Sequence, residues 1–159
     1  MEHEVQLRSA RTDEAEFLSA LALRSKSHWG YSVEFLEAVR AELAMTEADC
    51  ASGSVIVAEL DGHVVGFYAL TGSPPFGELD SLFVDLGVIG TGIGRLLLDD
   101  ALREAAARGF TSLTLDADPG AESFYLRHGA IRIGESPSGS IPGRLLPQMR
   151  FDLDQGLEK

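Results

Sequence analysis

Val84-Asp85-Leu86-Gly87-Val88-Ile89-Gly90-Thr91-Gly92-Ile93-Gly94-Arg95-Leu96-Leu97-Leu98 carries the chain out of a strand and into its strongest helix. Upstream, Glu78 to Val84 alternates apolar residues in both phases, so both faces of that strand read as buried. Downstream, Ile93 to Arg108 places Leu97, Leu98, Ala101, Leu102 and Ala105 on one helical face, with Asp99, Asp100, Arg103 and Glu104 opposite. Gly109 ends that helix. Between the two elements, Gly90, Gly92 and Gly94 allow a tight turn in which the first backbone N–H groups of the helix point outward. Such a turn suits a phosphate or pyrophosphate; a plain packing connection is the alternative.

Working outward, Ser54 to Leu60 and His63 to Leu70 flank Asp61-Gly62, a hairpin signal. Gly72 to Gly77, with Pro74 and Pro75, reads as a loop. Val5 and Leu7 open a first strand, and Thr12-Asp13-Glu14 starts a helix that carries Phe17, Leu18, Leu21 and Arg24 to about Lys26. His28 to Tyr31 is a loop, and Ser32 caps a second helix through Phe35, Leu36, Val39 and Leu43. Thr111 to Leu115 is a strand, and Asp118-Pro119 opens a helix reaching about His128. Ala130 to Ile133 and Gln148 to Leu153 are the last strands, joined by a Ser/Gly/Pro-rich loop. The order β-α-α-β-β-β-α-β-α-β-β predicts a single α/β (α+β) domain over residues 1–159, with a mixed sheet.

Composition narrows the function. The 159 residues are 45% apolar and 24% charged, as in a soluble globular domain. Thirteen basic against 25 acidic residues give a net charge of −12, spread as −7 up to residue 75 and −5 beyond it. No Lys/Arg cluster offers a face to phosphates, which argues against nucleic acid as a partner. Apolar stretches fall far short of the roughly 20 residues that cross a bilayer, and Met1-Glu2-His3-Glu4 is not a signal peptide. The expectation is a cytoplasmic protein with no membrane partner. Cys50 is the sole cysteine, so no disulfide forms within the chain, and no basic neighbour activates it. His3, His63 and His128 lack ligand spacing, so no metal is expected.

The glycine turn has three candidate ligands. A P-loop needs Lys-Ser/Thr after the last glycine, where Arg95-Leu96 stands. A dinucleotide fingerprint needs glycine at position 95; Asp116, about 20 residues on, would suit its ribose, but a hairpin precedes the turn instead of a βαβ unit. Coenzyme A is the third.

Glu78 through Ala130 resembles the core of the GCN5-related N-acetyltransferase (GNAT) superfamily. Its motif Gln/Arg-x-x-Gly-x-Gly/Ala is matched by Gly92 and Gly94, with Ile89 in the Gln/Arg slot as a departure. The resemblance implies the GNAT fold, about seven strands with helices on both faces, and acetyl-CoA as cosubstrate. It implies a coenzyme site built from Phe83, Val84, Ile89, Gly90, Thr91, Gly92, Ile93, Gly94, Arg95, Ala117 and Tyr125. In the family the fourth and fifth strands part, so pantetheine would lie between Val84 and Ala117.

Acetyl transfer to an amine needs a base for the ammonium, a donor for the oxyanion and a proton for the thiolate. Ser123-Phe124-Tyr125-Leu126-Arg127-His128-Gly129-Ala130 resembles the family's Phe-Tyr-x-x-x-Gly-Phe/Ala segment, whose tyrosine commonly protonates the leaving thiolate. That assigns Tyr125 the acid role and leaves Phe124, without a hydroxyl to satisfy, as the core member of the pair. Glu78 stands eleven positions before the Gln/Arg slot, where histone-type members carry a general-base glutamate. Asp80 lies two residues later on the same strand face. The residues alone leave base, cation-holding and simply solvated roles open for both. A backbone N–H near Phe83 and Val84 would meet the oxyanion, as in the family.

Trp29, Tyr31, Glu78 and Arg144 are candidate acceptor contacts, Arg144 by pairing with a carboxylate. The acceptor would be a small-molecule or peptide amine, attacking the thioester directly in a ternary complex, and the protein a monomer or homodimer. The alternative is a non-catalytic acyl-CoA-binding regulatory module.

Overall fold

A computed structural model describes residues 4–153; His3 and the start of the chain lie outside the described residues. Seven strands form one sheet in the order β1-β2-β3-β4-β5-β7-β6. They are β1 (Val5–Ser9), β2 (Val55–Leu60), β3 (His63–Ser73), β4 (Phe76–Val84), β5 (Ser112–Asp116), β6 (Ile131–Pro137) and β7 (Leu145–Asp152). The helices are α1 (Ala15–Lys26), α2 (Val33–Leu43), α3 (Glu47–Ala51), α4 (Ile93–Ala107) and α5 (Glu122–Arg127). The expected mixed sheet and element order are present, with α3 in addition. Thr46 opens this short helix, accepting from Asp49 N at 3.0 Å while Asp49 accepts from Thr46 N at 2.9 Å.

Two compact units emerge from the packing, one running up to Ala69 together with Ser81–Asp99, the other comprising Leu70–Asp80 and Asp100 onward. In the first, Leu18, Leu21 and Ala22 of α1 pack with Val55, Val57, Phe67 and Ala69 of the sheet. Fully burying a side chain such as Leu18 is worth about 1.5–3 kcal/mol. Phe17, read with Leu18 and Leu21 at helical spacing, is 46% exposed, with the Arg24 guanidinium 5.7 Å over its ring. Thr12 does not cap α1: Thr12–Glu14 is a 3-10 turn, and the Glu14 carboxylate accepts from Arg11 N at 2.8 Å. In the second unit, Leu113 and Leu115 of β5, Met149 and Phe151 of β7, and Tyr125 of α5 are buried.

The Asp61-Gly62 turn forms as read, with φ of 54° and 81°. The expected Gly72–Gly77 loop does not. Proline has no N–H to give to a ladder, but Pro74 and Pro75 occupy the two-residue turn itself, so β3 continues to Ser73 and β4 begins at Phe76. β4 and β5 pair in parallel over Phe76–Glu78 and Ser112–Thr114. The expectation that both faces of β4 are buried is not met: Phe76, Glu78 and Asp80 are exposed on one face, Gly77 and Leu79 are buried on the other, and Ser81 to Val84 are half-buried. No helix among the described residues is long and apolar enough to cross a membrane.

Candidate active site

In the first unit, β4 delivers the chain to the glycine turn. Asp85 N donates to Val65 O at 2.8 Å, and Asp85 Oδ1 accepts from Leu86 N at 2.8 Å, opening a 3-10 turn over Leu86–Val88. Thr91 closes on it, donating from N (3.2 Å) and Oγ1 (2.5 Å) to Val88 O. Gly90 and Gly92 then take φ of 87° and 95°, which side chains resist. A Cβ at either would meet nothing within 4 Å, so the space in front of the turn is open. The first α-helical bond is Leu96 N to Gly92 O at 3.0 Å, which leaves the N–H groups of Ile93, Gly94 and Arg95 beyond the helix's own ladder. Outward N–H groups at the head of a helix are the kind of donors that suit an anion. Arg95 is exposed beside it, its Nε 3.9 Å from Asp99; Ile89 is exposed and Ile93 buried.

Phe83 and Val84, half-buried, stand just before the turn. Their neighbour across β3 is Gly66, where a Cβ would fall 2.9 Å from Phe83 O and 3.0 Å from Leu97 Cδ1. Only glycine lets α4 approach this strand so closely.

In the second unit, Glu78 and Asp80 share the exposed face of β4. Thr71 Oγ1 lies 3.5 Å from Glu78 Oε1. Although Glu78 is exposed overall, partial desolvation of its carboxyl raises the pKa above its usual range, and the charges of Asp80 and then Asp116 raise it further, while Thr71 opposes them. Asp116 was not among the expected acceptor-side acids. Glu78 pairs with Thr114, so Asp116, two residues on, lies on the same face of β5. The parallel register would have found it, and that register is invisible in one strand's sequence.

Tyr125 and Phe124 exchange their expected places. Tyr125 is 7% exposed and lies edge-on to Phe151 at 6.5 Å, while Phe124 is half-buried against His128 at 4.5 Å. Burial, then the charge of Asp118, push the Tyr125 phenol well above its ordinary pKa. Asp118 Oδ1 accepts from Gly120 N at 2.9 Å, and Arg144 Nη2 lies 3.8 Å from Asp118 Oδ2. Arg144 is therefore largely covered, with an internal carboxylate beside it. Ala117 is buried next to this group.

Trp29 is 42% exposed and edge-on to His28, and Tyr31 stacks on Phe35 at 4.0 Å. Burial, then Asp49, Glu14 and Glu47, push the Cys50 thiol up, consistent with a packing role. Among the described residues no three His, Cys, Asp or Glu groups converge to hold a metal.

The model of the acetyltransferase (GNAT) family matches residues 17–130. A peptidyl-lysine N-acetyltransferase, YjaB, of Salmonella typhimurium is 34% identical, over 83% of this chain and 87% of its own. A GCN5-related N-acetyltransferase structure from Rhodopseudomonas palustris superposes with a TM-score of 0.76 at 28% identity, covering 96% of this chain and 99% of that one. PaiA N-acetyltransferase from Thermoplasma acidophilum, solved with coenzyme A, shares the fold with a TM-score of 0.78 at 21% identity, covering 94% and 99%.

Proposed function

The chain belongs to the acetyltransferase (GNAT) family and is an acyl-CoA-dependent N-acetyltransferase, and from that premise we propose that its acceptor is the ε-amine of lysine in a peptide or protein. The observation that carries this is the 34% identity to a peptidyl-lysine N-acetyltransferase across most of both chains. An acidic surface also suits a cationic acceptor: the net charge is −12, and Glu78, Asp80 and Asp116 stand together in the second unit.

The N–H groups of Ile93, Gly94 and Arg95, with the Arg95 side chain, hold the coenzyme's anionic end in this reading; the open space at Gly90 and Gly92 fits such a group. Ile89 adds no polar contact, so affinity rests on the backbone donors and Arg95. Phe83, Val84 and Ala117 supply apolar coenzyme contacts, and Trp29 and Tyr31 acceptor contacts. Acetyl-CoA brings the acetyl group as a thioester. Glu78, with its raised pKa, takes the ammonium proton directly or through water, and Asp80 helps to hold the cation. Tyr125, which burial keeps protonated, supplies the proton for the departing sulfur. No covalent enzyme intermediate is needed. The whole chain acts as one catalytic domain, within the cytoplasm, as a monomer or homodimer.

The test is thiol release from acetyl-CoA with a lysine peptide, free amino acids and polyamines offered in parallel, with mass spectrometry of the peptide. Acetylated lysine formed faster than any other product is expected. Preference for a free amine would overturn the acceptor, and coenzyme binding without turnover on any amine would favour a regulatory module.

A further inference from the structure

The end of α1 is tied to the approach to the glycine turn through one side-chain pair. Arg24 Nε donates to Asp85 Oδ1 at 3.1 Å and Arg24 Nη2 to Asp85 Oδ2 at 2.9 Å, a two-pronged ion pair. Asp85 is also the residue whose Oδ1 receives Leu86 N, and whose carbonyl receives Val88 N at 3.1 Å. Val88 O in turn receives both donors of Thr91, the residue before Gly92. A series of hydrogen bonds therefore runs from Arg24 through Asp85 and Val88 to Thr91, two residues before α4 begins. At its other end, Arg24 lies over the Phe17 ring and its carbonyl accepts from Ser27 Oγ at 2.5 Å, just ahead of Trp29.

We propose that Arg24 and Asp85 are positioning residues for the coenzyme turn, the bidentate pair fixing the 3-10 turn that aims the N–H groups of Ile93 to Arg95. The inference rests on the acyl-CoA reading of that turn. Electrostatics adds to geometry. A bare Asp85 carboxylate would stand at the entrance of a site that must take an anion, in a protein already at −12. Arg24 cancels that charge while holding the loop, and it draws the Asp85 carboxyl below its usual pKa range. The pair is partly exposed, with side chains 42% and 24% accessible, so its worth to folding is small and its effect falls on the loop.

The experiment compares the wild type with Arg24→Gln, Arg24→Lys and Arg24→Gln/Asp85→Asn. Asparagine keeps the oxygen that accepts from Leu86 N, so the turn retains its cap. Calorimetric Kd for coenzyme A, KM for acetyl-CoA, kcat and Tm are read together. Arg24→Gln is expected to raise Kd and KM about fivefold, the factor for a pair of about 1 kcal/mol, with kcat within about twofold and Tm nearly unchanged. Arg24→Lys should recover part of the loss, and the double variant should bind better than Arg24→Gln because the bare carboxylate has gone. Unchanged Kd and KM would overturn the proposal, as would a loss confined to kcat and Tm. A wild type that fails to bind coenzyme A would overturn the acyl-CoA reading itself, a result no Arg24 variant can mimic.

Discussion

Asp80 follows Glu78 by two residues on the exposed face of β4, and its charge, after burial, is the largest influence holding the Glu78 carboxyl above its ordinary pKa. A general base acts only when deprotonated, so kcat/KM should rise with pH through this elevated value. Glu78→Gln is expected to lower kcat and flatten that rise. Asp80→Asn removes a like charge, lowers the Glu78 pKa and moves the rising limb to lower pH. A pH profile identical to wild type in both variants would transfer the proton to bulk water.

The Tyr125 phenol is raised by burial and by Asp118, so it stays protonated across the assay range. Activity should therefore show no falling limb from tyrosine ionisation below its ordinary pKa of 10.0. Tyr125→Phe is expected to cut kcat by about 100-fold or more while leaving coenzyme Kd nearly unchanged. Equal kcat in stopped-flow single turnovers would remove the tyrosine from the chemistry.

Arg8 joins two carboxylates, reaching Glu14 at 2.7 Å and Glu59 at 3.0 Å. Arg8, then the Arg11 N–H, hold the Glu14 pKa below its unfolded value near 4.5, against the cost of burial. A depressed folded pKa contributes stability above the unfolded value and loses it as pH falls through the folded one. Glu14→Gln should cost about 1–2 kcal/mol at neutral pH, since Arg8 loses one of its two carboxylates but keeps Glu59. Its Tm should fall less steeply than wild type between pH 5 and 2, which thermal melts at about one-unit intervals can read.

Two glycines are expected to fail for different reasons. Gly66→Ala forces a Cβ to 2.9 Å from Phe83 O, so it should lower stability by about 1–3 kcal/mol. Gly92→Ala meets no neighbour but must hold φ of 95°, so about 1–2 kcal/mol of strain falls on the turn. Calorimetry should find weakened coenzyme binding for the second, with a smaller drop in Tm than for the first. Wild-type coenzyme affinity in Gly92→Ala would mean that the cradle does not depend on this backbone geometry.

The contrast between elements explains what could be read in advance. The Asp61-Gly62 hairpin and α4 were legible because their signals are local: a turn dipeptide, and an apolar stripe sustained over fifteen helical residues. The Phe124 and Tyr125 assignment was not. Residues Pro119–Ala121 form a 3-10 turn before the six-residue α5, and a change from about 3.0 to 3.6 residues per turn breaks any face projected from Asp118. The end strands run longer than their own residues signal, for a different reason. β6 and β7 are extended by pairing with each other over Ile131–Pro137 and Leu145–Arg150, where β6 is mostly exposed and shows little alternation.

The sequence by itself determined the order of elements, the glycine turn and the family to which they point, because glycine dihedrals and hydrophobic period act within a few residues. It also placed Glu78 and Asp80 on one face, since that needs only the strand's period of two. Tertiary structure alone decided that Asp116 joins them, that Arg144 lies against Asp118, and that Arg24 grips Asp85 from 61 positions away. Those pairings depend on strand register and helix docking, which arise from the packing of distant segments and leave no periodic trace in the chain.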